Sequence, residues 1–137
     1  MPEYSLYPVE VITPEGIAFS GDAESLMVPG AAGGLGIFAN HAPLVSLLDP
    51  GETRLTDAEG TVRRYATDDG YVQVLHNRAV VLVGAAVAAE SIDAADAARR
   101  LDEAQAALER AESGDGDVSA AKREVGFAEA LVKTAAG

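Results

Sequence analysis

The feature that most constrains the fold of this chain is a change in the spacing of its apolar residues near Glu90. Before that point, short runs rich in Val, Leu, Ile and Tyr are separated by turn signals, a pattern typical of an all-β sandwich or barrel. After it, alanine dominates and apolar residues recur about every 3.6 positions, as in amphipathic helices. We therefore predict an α+β chain: an N-terminal all-β sandwich of two sheets over residues 1–88, followed by a C-terminal antiparallel helical hairpin over residues 89–137.

Turn signals in the first region predict two β-hairpins. Glu52–Thr56 and Thr61–Thr67 flank a turn that ends in Gly60, and glycine takes the positive φ of such turns at little steric cost. Tyr71–Leu75 and Ala79–Val83 form the second predicted pair of strands. Both hairpins fit the short strands and regular turns of a sandwich.

The second region predicts two helices that pack along a seam whose stability is expected to depend on its larger side chains, Leu101, Leu108, Val118, Val125 and Val132. Asp93 is the expected N-cap of the first helix, with Asp96 in its first turn, and glycines within residues 113–117 end that helix before a fresh start. The seam residues are Ala97, Leu101, Ala104, Leu108 and Ala111 on the first helix, and Val118, Ala121, Val125, Ala128 and Val132 on the second. Because alanine buries little apolar area and isolated helices of this length are marginal, the hairpin is expected to dock on another surface and to be able to leave it.

Charge and composition exclude several classes of partner. The formal net charge is −12 and the sequence pI is about 4.4, so we expect neither nucleic acid binding nor direct lipid insertion. The chain contains no cysteine, which excludes disulfides and thiolate metal sites. No apolar run approaches the roughly 20 residues of a membrane span, and no basic, apolar leader opens the sequence.

One short motif raises the question of a nucleotide site. Residues Gly34 to Ala39 read GLGIFA and fit the dinucleotide fingerprint G-x-G-x-x-[GA]. The pyrophosphate in such a site rests on the N-terminus of a helix that the glycine turn opens. Here Pro43 follows closely and removes a backbone donor, and no G-K-[ST] supplies a phosphate-binding lysine. The sequence therefore predicts no dinucleotide cofactor.

No arrangement of reactive side chains predicts catalysis. His41 and His76 are the only histidines, and they belong to no motif such as H-E-x-x-H. A structural hydrogen bond is the favoured role for His41 and a solvated turn position for His76. Asp68 and Asp69 precede a glycine, as in a solvated hairpin turn. We therefore expect a protein that is not an enzyme, with no catalytic residues, no cofactor and no metal.

The glycines and prolines between Pro29 and Gly51 predict a docking surface, because small residues permit close approach by another backbone. The same stretch resembles, in residue type and spacing, the signature of the epsilon subunit of bacterial F-type ATP synthases. The matching runs are Val28-Pro29-Gly30, Gly33-x-Leu35-Gly36, Asn40-His41-Ala42-Pro43-Leu44 and Pro50-Gly51, followed by Asp69-Gly70-Tyr71-Val72-Gln73-Val74 and Ile92-Asp93. The resemblance therefore runs in order over essentially the whole chain.

The resemblance implies a non-catalytic subunit of the central stalk, peripheral to the cytoplasmic face of the bacterial inner membrane. In that family the sandwich binds the gamma subunit and sits on the ring of c subunits, so that proton-driven rotation turns the stalk. A further contact of the hairpin with the alpha and beta subunits stays open. The interface with gamma and the c-ring is assigned to a loop of seven named positions: Gly30, Gly33, Gly34, Gly36, Asn40, His41 and Pro43.

Two positions depart from the family pattern. Many members have an acidic residue where this chain has Gly34, so docking to the ring is expected to rely on shape. Some members bind ATP on the hairpin through a motif similar to I-D-x-x-R-A, but here the arginine position holds Asp96, which would repel phosphate. Nucleotide sensing and a plain structural hairpin are both left open by the sequence.

The hairpin also bears on regulation. Family members use it as a brake, in which basic residues of the second helix meet acidic surfaces of the catalytic subunits. In this chain Lys122, Arg123 and Lys133 are opposed by Glu124 and Glu129, which predicts only a weak regulatory role. The alternative hypothesis is a freestanding acidic β-sandwich adaptor that regulates a soluble enzyme, and co-purification with a rotary ATPase distinguishes the two.

Overall fold

The computed structural model describes residues 5–114 and 116–137, and within them nine strands precede two α-helices. The first four residues of the predicted sandwich and Asp115 of the predicted hairpin loop lie outside the described residues. The strands are β1 (Tyr7–Thr13), β2 (Gly16–Val28), β3 (Leu35–Phe38), β4 (Leu44–Leu48), β5 (Gly51–Asp57), β6 (Val62–Thr67), β7 (Gly70–Leu75), β8 (Arg78–Val83) and β9 (Ala86–Ala88). A 3₁₀ turn at Ala89–Ser91 leads into α1 (Ala94–Glu112) and α2 (Val118–Ala136).

The predicted sandwich is confirmed, and its two layers are joined by the long strand β2. Hydrogen-bonded neighbours follow the order β4-β7-β8-β1-β2-β5-β6-β9, and β3 also pairs with β2. The first half of β2 pairs with β1, and its second half pairs with β3 and β5. The register with β5 shifts between Ala23 and Ser25, where a bulge bends a strand and increases its twist. One strand can therefore serve both layers.

Alternating side chains of both layers form one core. Val9 and Val11 of β1, Leu26 of β2 and Val81 of β8 are all fully buried. The Tyr7 hydroxyl donates a hydrogen bond of 2.6 Å to the backbone oxygen of Ile37, and burial raises the pKa of this phenol. A buried hydroxyl with its partner in place stabilises the packing of β1 against β3.

Both predicted β-hairpins are confirmed. Gly60 in the turn between β5 and β6 has a φ of 81°, as the glycine signal indicates. Asp57 holds the same turn, because its carboxylate accepts backbone N–H groups of Glu59 and Thr61 at 3.0 and 2.9 Å. Burial alone would raise the pKa of Asp57, but the hydrogen bond from Arg63 and these backbone donors outweigh it and lower the pKa.

The helical hairpin is confirmed together with its caps. The side chain of Asp93 accepts the backbone N–H of Asp96 at 3.0 Å, and Asp117 caps α2 in the same way. The seam depends more on alanine than expected. Its buried residues are Ala97, Ala104, Ala111 and Ala128, whereas Leu101, Leu108, Val118, Ala121, Val125 and Val132 are only half-buried. The seam positions hold, but its larger side chains are less buried than the spacing predicts.

A second face of α2, which the sequence analysis missed, docks the hairpin on the sandwich. Phe127 and Leu131 pack with Ala66 of β6, and the whole set, here called the docking cluster, is Ala66, Ala97, Phe127, Ala130 and Leu131. Gly126 lies beside Pro50, since a Cβ at Gly126 would come within 3.1 Å of the Pro50 Cγ. A glycine inside a helix costs about 1 kcal/mol relative to alanine, and here it permits close approach of α2 to the corner between β4 and β5.

Candidate functional site

The structure divides the predicted interface loop into two loops and a strand. Gly30, Gly33 and Gly34 precede β3, whereas Gly36 lies within it. The other three predicted residues, Asn40, His41 and Pro43, follow β3. A four-residue strand separates its ends by about 10 Å, since each residue adds about 3.3 Å. The description of residues 30–43 as a single loop is therefore corrected: three of the seven positions precede β3, Gly36 lies within it, and three follow it.

The glycines of the first loop fall into two kinds. A Cβ on Gly30 would overlap the carbonyl oxygen of Gly33, and Gly33 itself has a φ of 132°. Gly34 differs from both, since the only atom near its Cβ position is the Val28 oxygen at 4.0 Å. Gly30 and Gly33 are therefore needed for the fold. Gly34 is exposed and leaves open space in front of the loop.

Gly36 is an intermediate case. It is exposed on β3, and a Cβ there would come within 3.1 Å of the sulfur of Met27. A thioether is flexible and can move by a few tenths of an ångström. A small side chain at Gly36 is thus compatible with the sandwich, so effects of such a change on assembly would report a contact rather than a folding defect.

The second loop is fixed by a long-range hydrogen bond. Asn40 has a positive φ of 62°, and its backbone N–H donates to the Asn77 Oδ1 at 2.6 Å. This bond sets the loop after β3 against the turn between β7 and β8, so that His41 and His76 lie in neighbouring turns. The exposed His41 ring donates through Nδ1 to the Ala42 oxygen at 2.7 Å, which is the structural hydrogen bond favoured by the sequence.

The outward positions of β4 and β7 are apolar except for the exposed Gln73, which pairs with Val45, and the sequence analysis did not identify this face. Val45 and Leu47 of β4 are each 70 % exposed. Leu47 pairs with Tyr71 of β7, which is 41 % exposed, and Leu75 of the same strand is 42 % exposed. We call these four residues, Val45, Leu47, Tyr71 and Leu75, the outer apolar face. The run LVSLL from Leu44 to Leu48 carried the signal, because β4 is apolar on both of its faces.

The start of α1 lines a groove next to the sandwich. The groove has a volume of about 250 Å³, and its lining includes Val87, Ile92, Asp93, Asp96 and Leu131. The Asp96 carboxylate accepts from the Arg99 Nη2 at 2.6 Å, so this groove presents an acid that is already paired. Among the described residues, no group of three or more His, Cys, Asp or Glu side chains could hold a metal ion. Over the same residues, neither helix is long and apolar enough to cross a bilayer.

These features define a binding subunit. An apolar sheet face in water is a site for a protein partner, since contiguous apolar patches on soluble proteins mark interaction surfaces. The helical hairpin covers part of the other layer through the docking cluster.

Comparison with known proteins identifies the family. The family model described as "ATP synthase, Delta/Epsilon chain, beta-sandwich domain" matches residues 6–89. The ATP synthase epsilon chain of Campylobacter fetus is 35 % identical over 113 residues, which cover 82 % of this chain and 88 % of the relative. That of an Anaeromyxobacter species is 42 % identical over 103 residues, covering 74 % and 76 %. The chain belongs to the epsilon-chain family of ATP synthases and is a non-catalytic subunit.

A solved structure shares the fold. A chain in the cryo-EM structure of the Euglena gracilis mitochondrial ATP synthase, described as OSCP/F1/c-ring in rotational state 1, aligns with a TM-score of 0.75. The alignment covers 96 % of this chain and 87 % of that chain at 21 % identity. The likeness extends through the hairpin, beyond the residues that the family model matches.

Proposed function

We propose that this chain is a rotor subunit in the central stalk of a proton-translocating F-type ATP synthase. In this role the sandwich binds gamma, rests on the c-ring and so couples rotation of the ring to the catalytic head. Its place is the cytoplasmic face of the bacterial inner membrane, where it is peripheral. Membership of the epsilon-chain family supports the proposal, and so does the resemblance of its fold to a chain within an assembly that contains the c-ring.

The main support for the proposed contact with gamma is the outer apolar face. Val45 and Leu47 are exposed to solvent and are not part of the core. The outward positions from Tyr71 to Leu75 hold no acidic side chain, in a chain with a net charge of −12. A partner would therefore bind here by burying apolar surface, which stabilises a complex by about 25 cal/mol for each Å² removed from water.

The two loops around β3 extend the proposed interface toward the ring. Gly34 has no side chain to approach a neighbour, so the loop after β2 would dock by shape rather than by charge. Asn40, His41 and Pro43 are exposed in the loop after β3, and the bond to Asn77 presents that loop in a fixed conformation. A preorganised loop loses little conformational entropy on binding.

We assign the hairpin a separate and weaker role. In this proposal residues 1–88 form the stalk domain and residues 89–137 a detachable module that regulates hydrolysis feebly through alpha and beta. The small docking cluster supports detachment, because three of its five side chains are alanines. The acid at Asp96, paired with Arg99, argues against an ATP site that uses arginine at this position.

The proposal is tested with a matched pair of exposed strand residues. Leu47→Glu places a charge on the outer apolar face, and Val62→Glu places one on β6, where Val62 is 54 % exposed. Burying one leucine contributes about 1.5–3 kcal/mol to binding. Losing that contribution in L47E should raise the Kd for gamma at least tenfold. V62E should bind as the unchanged chain does.

The measurement is the affinity for purified gamma, followed by co-purification with the assembled ATP synthase. Equal affinities for L47E and the unchanged chain would place the gamma contact elsewhere. Reproducible absence of the unchanged chain from any rotary ATPase would favour the freestanding adaptor instead.

A further inference from the structure

One arginine of the sandwich differs from the others in having no acidic partner. Residues 5–88 contain ten Asp and Glu residues but only four Lys and Arg residues, all of them arginines. Three of these are ion-paired: Arg63 with Asp57, Arg64 with Glu52 and Arg78 with Glu10. The fourth, Arg54 of β5, is exposed, and its side chain forms no ion pair with any of the described residues. Its positive charge is therefore left uncompensated in an acidic chain.

The neighbours of Arg54 in the sheet add to this charge rather than offset it. Gly36 of β3 lies opposite Met27 of β2, which in turn lies opposite Arg54. On its other side, Arg54 lies opposite Arg64 of β6. Side chains directly opposite each other in antiparallel strands have Cβ atoms about 5 Å apart, and like charges at such positions are destabilising. The sandwich thus keeps two arginines side by side, of which only Arg64 has an acidic partner among the described residues.

A small groove opens beside Arg54. Its volume is about 220 Å³, and its walls include Met27, Leu35, Glu52 and Arg54. Gly34 and Gly36 also line it and have no side chains with which to fill it. Small-molecule sites usually measure about 300–1,000 Å³, so this groove has the size for a side chain of a docked protein rather than for a cofactor. Since Glu52 is engaged by Arg64, Arg54 supplies the free charge of the groove.

We propose that Arg54 binds an acidic side chain that the c-ring inserts into this groove. The inference rests on the proposed function, which assigns the neighbouring Gly34 and Gly36 to the contact with the ring. A carboxylate can accept two parallel N–H bonds from the planar guanidinium group, and its charge would offset the repulsion between Arg54 and Arg64. The two glycines let the backbone of the partner approach closely. The loop before β3 therefore supplies the shape of the contact, and Arg54 supplies its charge.

An acidic protein side chain fits this groove better than an anionic surface does. The net charge of −12 repels nucleic acid and membranes rich in anionic lipid. A single carboxylate, in contrast, meets Arg54 locally, while the flexible thioether of Met27 packs against its hydrocarbon part.

The experiment measures the affinity of the full chain for the purified c-ring in an uncharged detergent, with gamma present at saturation. We expect Arg54→Glu to raise the Kd for the ring by about tenfold or more, and Arg54→Gln to raise it by a smaller factor. Arg123→Glu, at an exposed position of α2, changes the net charge by the same amount and should bind as the unchanged chain does. Raising NaCl from about 0.05 M to about 0.5 M should weaken the unchanged chain more than R54Q, which lacks the screened attraction.

Urea unfolding separates this role from a structural one. The carboxylate introduced by R54E lies opposite Arg64 and replaces a like-charge pair with an opposite-charge pair. The unfolding midpoint of R54E should therefore be no lower than that of the unchanged chain, although its binding is weaker. A lower midpoint that accounts for the lost binding would overturn the inference.

The remaining outcomes separate this inference from the function on which it rests. If R54E and the unchanged chain bind the ring equally, the inference fails and the proposed function stands. If the unchanged chain does not bind the ring at all, both fail. Weaker binding of R54E to gamma alone would place the acidic side chain on gamma. Arg54-dependent binding to protein-free vesicles that contain anionic lipid would assign the groove to a lipid headgroup, and either result overturns the assignment to the ring.

Discussion

The sandwich and the hairpin of this chain differ in the size of the side chains that they bury. The sandwich core contains large side chains that are fully buried, among them Tyr7, Leu26, Ile37 and Leu55. The buried residues of α1 are alanines only, and the hairpin meets the sandwich through the five-residue docking cluster. Because hydrophobic stabilisation grows with the apolar area buried, we expect the sandwich to be the more stable region and the hairpin the more loosely attached one.

Under the proposed function, this contrast suits a stalk subunit whose sandwich keeps its place while its hairpin moves. The regions of a protein that move during function are those of low local stability. The contrast is also measurable, because substitutions in the two regions should differ in how far their effects spread.

The largest effect is expected from Gly70→Ala at the start of β7. A Cβ at Gly70 would overlap the carbonyl oxygen of Leu82, which belongs to the paired strand β8 and cannot swing away. The loss should exceed the roughly 1–3 kcal/mol typical of overpacking and should unfold the whole sandwich. Urea unfolding followed by circular dichroism measures it. Gly84→Ala is the control, because its nearest neighbour lies at 3.5 Å, and a G70A chain as stable as G84A would contradict the account.

Phe127→Ala should have a large but confined effect. Phe127 is 4 % exposed, and truncating a buried phenylalanine costs about 3 kcal/mol or more. We expect amide hydrogen exchange to accelerate throughout α2 while the amides of β1 and β8 stay protected. Leu108→Ala on the half-buried seam should accelerate exchange less. Loss of protection in the sandwich strands of F127A would show that the two regions unfold as one.

Thr134→Val should stabilise the hairpin by about 1 kcal/mol. Thr134 is 1 % exposed and its hydroxyl has no hydrogen-bond partner among the described residues. Removing an unsatisfied buried hydroxyl while keeping the side-chain shape recovers part of its desolvation cost. Thr134→Ser keeps the hydroxyl and loses a methyl group, so it should move stability in the opposite direction. A less stable T134V, measured by urea unfolding, would mean that the hydroxyl is bonded after all.

The smallest effect on stability is expected from Gly34→Trp, which should nevertheless weaken assembly with gamma and the ring. The position before β3 is open, so the free energy of unfolding should change by no more than about 0.5 kcal/mol. Ala58→Trp, in the exposed turn between β5 and β6, is the matched control for bulk. Normal assembly of G34W with the ring and gamma would remove this loop from the interface.

Most of the fold could be predicted from signals within short segments of the sequence. The caps at Asp93 and Asp117 and the positive φ at Gly60 depend on residues a few positions away, and each was found where the sequence indicates. The seam alanines follow from helical spacing in the same way. Such features are readable because the physical cause and its effect share one short segment.

Long-range features were missed for a corresponding reason. The hydrogen bond from Asn40 to Asn77 joins residues 37 positions apart, so a local sequence pattern does not predict it. Phe127, Ala130 and Leu131 form a second stripe at helical spacing, but only the position of β6 makes that stripe the docked one. The outward direction of Leu47 likewise depends on the register with β7. For the last two features, the useful sequence signal is a strand or helix that is apolar on two faces.

The most direct test is removal of the hairpin from the rebuilt enzyme. A chain ending at Glu90 retains all nine described strands. Its complexes with the remaining subunits are compared with those of the full chain for ATP hydrolysis and for proton-driven ATP synthesis. The account predicts normal assembly and similar rates for both chains, because it proposes that the sandwich carries the stalk function and that the hairpin is only a weak brake. Failure of the truncated chain to assemble, or a several-fold release of hydrolysis, would contradict it.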